Sequence, residues 1–187
     1  MRQLLALLTL LFAVASAPTF AQIGDEVLPP VFVETLLELP DDAAQAARSK
    51  KRLLLYFGQV GCPYCKELMQ TSFTQKDIAD KTAKHFLPIA FNLFGDREVT
   101  WFDGKVRSEK EFAKFLKVQF TPTILLLDER GRVIARINGY YPPHRFSAAL
   151  DYSVKRLENK LSFAEHMKSV PQTGASATLH DLSLIHI

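Results

Sequence analysis

Apolar and polar positions fall into two kinds of pattern along this chain. Leu53-Leu54-Leu55-Tyr56-Phe57 is a continuous apolar run, and Thr123 to Leu127 is another. Short uninterrupted runs of this kind are expected of strands covered on both faces of a sheet. Phe86 to Phe94 is strand-like as well, apolar except for Pro88 and Asn92, with Pro88 limiting which side of it can be hydrogen-bonded. Arg132 to Ile137 returns from Thr123–Leu127 through the turn Asp128-Glu129-Arg130-Gly131, which predicts a β-hairpin.

Helical spacing occupies the intervals. Asp41-Asp42, a stretch of alanines and then Arg48 describe a short helix with acid first and base last. Pro63 to about Thr71 predicts a helix, and Gln75 to Lys84 a second one or its continuation. Gly95 to Gly104 reads as a polar, turn-rich connection. Ser108-Glu109-Lys110-Glu111 has the capping-box pattern, followed by Phe112, Phe115 and Leu116 on one face. Gly139 and Pro142-Pro143 break the chain before a last helix, His144 to about Leu157, with Phe146, Leu150, Val154 and Leu157 aligned. The order α, β, α, β, α, β, β, α, closing on an antiparallel pair, predicts an α/β domain with a central mixed sheet flanked by helices.

The two ends fall outside this pattern. Arg2, the nearly wholly apolar Leu4 to Ala15 and the small residues after it read as a secretory signal peptide. The run is short of the roughly 20 residues that span a bilayer. Pro18 disfavours a cut after Ala17, so the expected leader is residues 1–21 and the expected mature N-terminus is Gln22; a retained anchor is the competing reading. Residues 22–40 form an N-terminal extension, 41–170 the domain and 171–187 a tail. Within the tail, residues 182–187 resemble the translation of a sequencing adapter and are set aside. The segment between leader and tail suits one domain with an adequate core.

The net charge of +3 falls to +2 without Arg2, which gives no argument for nucleic acid as a partner. The basic run Arg48, Lys50, Lys51 and Arg52 reads as a solvated helix end and turn, with a docking patch as the alternative. Trp101 reads as the cover of a core edge or as an interaction anchor. His85, His144, His166 and His180 are scattered and far in sequence from the cysteines, so they are not expected to be ligands.

The chemistry concentrates in Cys62-Pro63-Tyr64-Cys65, which holds both cysteines of the chain. A strand that feeds C-x-x-C at the start of a helix is a thiol–disulfide redox signature. Cys62 is expected at or beside the helix N-cap, where unpaired N–H groups and the helix dipole favour the thiolate. Pro63 then takes the first helical position, where its missing N–H costs nothing. Cys65, one turn further in, is expected to be the more buried thiol. A zinc site needs about four ligands, and no second Cys or His pair stands at a suitable spacing, so no metal and no other cofactor is expected. Disulfides persist in oxidising compartments, which agrees with an exported protein.

The element order, with C-x-x-C after the first core strand, resembles the thioredoxin fold. A second motif strengthens this: Thr121-Pro122-Thr123 opening a strand, a tight turn at Gly131, a returning strand and Gly139-Tyr140. The resemblance covers roughly residues 40–160. It implies a cis bond at Pro122 opposite the cysteine pair, with Thr121 offering backbone groups to an extended substrate. Tyr64 reads as tuning the motif or lining the substrate surface, or as an exposed turn residue. Within the superfamily, the chain is similar to exported thioredoxin-like proteins of the SoxW type. The stretches that carry this are Gly61-Cys62-Pro63-Tyr64-Cys65-Lys66, Gly95-Asp96-Arg97-Glu98-Val99 and Phe102-Asp103-Gly104-Lys105. One departure stands out. Thioredoxins carry a buried acidic residue six positions before the first cysteine, and here that residue is Tyr56.

The expected function is a periplasmic thiol–disulfide oxidoreductase that reduces disulfides of exported proteins through Cys62 and Cys65. Its expected partners are exported thiol or disulfide proteins and a membrane electron-donor protein, with the chain itself a monomer. A disulfide-forming oxidant of the same fold is the alternative. So is a non-catalytic binding module with a structural disulfide.

Overall fold

A computed structural model describes residues 21–24 and 26–172. Most of the expected leader, His180 and residues 182–187 lie outside the described residues. In chain order the elements are β1 (Gln22–Ile23), β2 (Glu26–Val27), α1 (Leu39–Arg48), β3 (Arg52–Gly58), α2 (Pro63–Thr71), α3 (Lys76–His85) and β4 (Phe86–Asn92). They continue with β5 (Glu98–Thr100), β6 (Val106–Ser108), α4 (Glu109–Phe115), β7 (Thr123–Leu127), β8 (Val133–Asn138), α5 (Pro143–Val154) and α6 (Phe163–Lys168).

The central sheet has the order β4-β3-β7-β8. β3 runs parallel to β4 and antiparallel to β7, and β8 closes the hairpin. This is the mixed α/β sheet expected from the sequence. Every residue of β3 is buried, and successive side chains go to opposite faces. Leu54 and Tyr56 enter a core shared with Cys65, Leu68, Phe73 and Phe146 from α2, the segment after it and α5. Leu53, Leu55 and Phe57 enter a second core with Leu39, Phe112 and Trp101. Pro88 sits on edge strand β4. Its carbonyl accepts from Val33 N–H at 3.0 Å, so its missing donor falls on the outer side and the ladder to β3 is kept.

Residues before α1 also join the core. Ile23, Leu28 and Phe32 are buried beside Tyr56, and the Phe32 ring lies 5.5 Å from that of Tyr56. α2 and α3 are separate helices. Thr71 and Thr74 hydroxyls bond back to the carbonyls of Glu67 and Gln70, competing with helix continuation. Phe73 turns into the core between them.

Four expectations need correction. The connection over Gly95–Gly104 is not merely polar loop: β5 pairs with β6 in a short hairpin, burying Val99 and Trp101. Strands of this length are too short to show alternation. Trp101 packs edge-on against Phe102 and is tilted over Phe112, so it covers a core edge. On α4 the inward residues are Glu109, Phe112 and Ala113, while Phe115 is 44 % exposed and receives the Arg107 guanidinium over its ring at 4.1 Å. The last long helix stops at Val154, because Arg156 takes a left-handed conformation (φ 53°), and α6 follows. The Ser162–Glu165 capping box that starts α6 is written in the sequence.

The fourth correction concerns the basic run. Arg48 and Lys50 are solvated, but Arg52 is buried. Its guanidinium donates to both carboxylate oxygens of Glu129 at 3.0 Å and to the Ser153 carbonyl at 2.8 Å, and it pairs with Glu158 at 2.8 Å. The cation ties the first core strand to the β7–β8 turn and to the end of α5.

The Arg52 hydrogen bond holds the Glu129 carboxyl down at about 2, against burial acting the other way. A carboxylate depressed in the folded state contributes stability that is complete above its ordinary value of 4.5 and fades as pH falls from there towards 2. Glu129→Gln is expected to flatten the acid limb of stability against pH, measured as urea midpoints across that window; parallel limbs would disprove the coupling. Arg52→Ala leaves the half-buried Glu158 without its cation and Glu129 with Arg156 alone, and is expected to cost about 3 kcal/mol in the same assay.

Candidate active site

β3 ends at Gly58, where a Cβ would crowd the Tyr56 hydroxyl and the Ile23 side chain. The chain then turns through Gln59, Val60 and Gly61 and delivers Cys62 to the N-cap of α2. Cys62 has extended backbone angles, and its carbonyl accepts the first helical bond from Lys66 at 3.1 Å. Pro63 occupies the first helical position, as the spacing predicted. Cys62 and Cys65 are joined in a disulfide.

Three donors and dipoles meet the Cys62 sulfur. The backbone N–H of Cys65 donates to Sγ at 3.1 Å. The Thr121 hydroxyl donates to the same sulfur at 3.3 Å. The helix α2 N-terminus adds its partial positive charge. Cys62 opens onto a shallow cleft with Gly61, Pro63 and Lys66, while Cys65 is 1 % exposed against 6 % for Cys62. The arrangement therefore pairs one reachable sulfur, with donors in place for the thiolate formed on reduction, and one enclosed sulfur.

The loop before β7 meets Cys62 through the Thr121 hydroxyl. The Thr121–Pro122 bond is cis. Pro122 is buried, and its carbonyl accepts from Gly139 N–H at 2.8 Å, fixing the loop to the end of β8. Tyr140, next in the chain after Gly139, shares a 3.1 Å hydrogen bond with Thr71 of α2. Tyr64 points outward and is 61 % exposed. Cys62, Cys65, Pro63, Thr121 and Pro122 thus come together, although the two segments are far apart in sequence.

Sequence reasoning assigned only backbone groups to Thr121 and missed its hydroxyl. The signal was present, since a hydroxyl residue immediately before that proline is placed opposite the first cysteine. Tyr56 is buried, so a phenol and not a carboxylate lies on this face of the core behind the cysteines. Among the described residues, no cluster of histidine, cysteine and carboxylate side chains is arranged to hold a metal.

Thr121→Val removes one donor from Cys62 Sγ while keeping the shape. A hydrogen bond to the thiolate worth about 1 kcal/mol is about a fivefold factor, so Cys62 of the reduced protein is expected to be alkylated about fivefold more slowly near neutral pH. The pH dependence of its alkylation rate measures this. An unchanged profile would show that the hydroxyl does not reach the thiolate.

Residues 39–153 match the model of a thioredoxin-like domain family. Among solved structures, the chain is similar to a thioredoxin-fold protein from Helicobacter pylori, with 28 % identity and a TM-score of 0.54 over 64 % of this chain and 78 % of that one. It is also similar in fold to a disulphide-isomerase candidate from Bacteroides thetaiotaomicron, with 21 % identity and a TM-score of 0.52 over 75 % and 98 % of the two chains. No curated protein matches it. The family match spans the sheet, both cysteines and the cis-proline loop, and the chain belongs to the thioredoxin-like domain family.

Proposed function

We propose that the protein is a periplasmic thiol–disulfide oxidoreductase that reduces disulfides of exported proteins. The observation that carries this is the Cys62–Cys65 pair at a helix N-cap, facing the cis Thr121–Pro122 loop. Family membership and the C-x-x-C motif support the oxidoreductase class. The direction of electron flow, the compartment and the narrower SoxW-type kinship rest on the sequence reading. Among the described residues no helix is long and apolar enough to cross a membrane.

In the cycle, Cys62 thiolate attacks one sulfur of the target disulfide. A Cys62–substrate bond forms, the substrate bond breaks, and the departing thiolate takes a proton from solvent. Cys65, deprotonated in turn, attacks the Cys62 sulfur, closes the intramolecular disulfide and releases the second substrate thiol. Two electrons have then passed from the protein to the substrate. Returning them requires an external dithiol, which in the periplasm implies a membrane electron-donor protein. Tyr56 leaves no carboxylate at the position where the family has one, so the proposal routes the Cys65 proton through water. The leader over residues 1–21 would supply export. Cleavage after Ala21 would remove that buried residue and its 2.9 Å hydrogen bond to Leu28, leaving the β1–β2 hairpin in the mature chain.

One observation favours the reverse direction. The Cys65 N–H and the Thr121 hydroxyl both stabilise a Cys62 thiolate, and stabilising the reduced form makes a disulfide a stronger oxidant. A measured reduction potential separates the two: about −270 mV supports the reductant and about −120 mV the oxidant. In an insulin-reduction assay with dithiothreitol, Cys62→Ser is expected to abolish turnover, and retained turnover would sink the proposal. Cys65→Ser is expected to accumulate a mixed disulfide with its substrate when expressed in the periplasm.

A further inference from the structure

The turn that leads into Cys62 has little packing of its own. Val60 is 65 % exposed, and Gly61, at φ 72°, has open space where a side chain would stand. Yet this turn sets where Cys62 meets the rest of the domain. The Cys65 N–H lies on the same helical turn as Cys62, so its bond to Sγ is local. The Thr121 hydroxyl belongs to a segment 59 positions away, and its 3.3 Å contact with the same sulfur holds only while the turn keeps Cys62 in place.

The β1–β2 hairpin supplies the packing that the turn lacks. Ile23 of β1 is buried, and its side chain lies so close on the backbone of Gly58 that a Cβ there would crowd it. The Gly58 carbonyl is held in turn by Leu93 N–H at 2.8 Å. Gly24 follows Ile23 in a left-handed conformation, φ 59°, and the Val60 side chain sits against its backbone where a Cβ would stand. A side chain at position 24 would be strained by that φ and would displace Val60. The hairpin therefore touches the turn at its start, Gly58, and again two residues before Cys62. It is itself tied down. Gln22 N–H donates to Glu34 Oε1 at 3.2 Å, and Glu34 Oε2 accepts from the Arg97 guanidinium at 3.4 Å.

We propose that this hairpin is a brace for the redox turn, with Ile23 and Val60 as positioning residues that keep Cys62 within reach of the Thr121 hydroxyl. The proposal takes the nucleophile, Cys62, from the oxidoreductase reading above. It adds to the site a segment that lies before the matched family domain, which begins at residue 39. The hairpin acts through the turn on the donors available to the Cys62 thiolate, the reactive species.

The test measures how fast iodoacetamide alkylates Cys62 in the reduced full chain near neutral pH, with urea midpoints taken alongside. Ile23→Ala and Val60→Ala are each expected to slow alkylation about fivefold, the scale of one lost hydrogen bond to the thiolate. Thr121→Val should do the same. Adding Val60→Ala to Thr121→Val should slow the reaction no further, because both changes remove one and the same contact. Ile23→Leu, which refills the space on Gly58, should stay within about twofold of wild type. Val118→Ala, in the other core, should lower the urea midpoint and leave the rate within about twofold.

An unchanged rate in Val60→Ala overturns the brace. So does full additivity with Thr121→Val, since the turn and the hydroxyl would then act on the sulfur independently. Slowing by Val118→Ala as large as that by Ile23→Ala also overturns it, by reducing the effect to lost stability. Should Ile23→Ala fail to fold, Val60→Ala decides, because its side chain is largely exposed. Inertness of the wild-type protein towards insulin refutes the oxidoreductase reading and not the brace, because alkylation is measured without turnover.

Discussion

Complete burial of β3 is the constraint on which the rest of the structure depends. A strand covered on both faces must find a layer of apolar side chains above and below, and its alternation decides which residues serve which layer. Leu54 and Tyr56 bring α2 and α5 to one side, while Leu53, Leu55 and Phe57 bring α1, α4 and Trp101 to the other. The strand ends at Gly58, four residues before Cys62 caps α2. Gly58 and the three residues after it carry the chain across that gap, and Cys62 arrives at the N-cap as a result of packing further back.

The site built there works through electrostatics more than through added machinery. A sulfur at a helix N-cap already faces unpaired N–H groups and a favourable dipole. The Cys65 N–H and the Thr121 hydroxyl complete its coordination, from neighbouring helix and opposite loop respectively. Burial then separates the roles of the two sulfurs, since only Cys62 borders the cleft. Tyr56, where the family carries an acid, removes a buried charge from beneath this arrangement. Core burial of a phenol costs less than that of a carboxylate.

Elsewhere, charge is used to tie distant segments together. Arg52 would be an expense at the buried start of a strand without partners, but Glu129, Glu158 and the Ser153 carbonyl surround it. Arg97 and the buried Glu109 do similar work where the chain leaves β4: Glu109 accepts from Asn92 N–H at 2.8 Å and from the Arg97 guanidinium at 2.8 Å. That second network holds the segment that leads from β4 to β5.

By itself the sequence determined the elements whose signals are local. The apolar runs of β3 and β7, the Ser108–Glu111 capping box, the Gly131 turn and the position of Cys62 and Pro63 at a helix start all follow from neighbouring residues. The mixed sheet followed from their order. The tertiary structure decided what depends on partners far along the chain. The β5–β6 hairpin is too short to carry a periodic signal and exists because Val99 and Trp101 find a core. Arg52 looked like the end of a solvated basic run because its carboxylates lie 77 and 106 positions later in the numbering. The contact of the Thr121 hydroxyl with Cys62 became visible only when the sheet brought that loop beside the cysteine, because distance in space, not sequence spacing, sets hydrogen bonds.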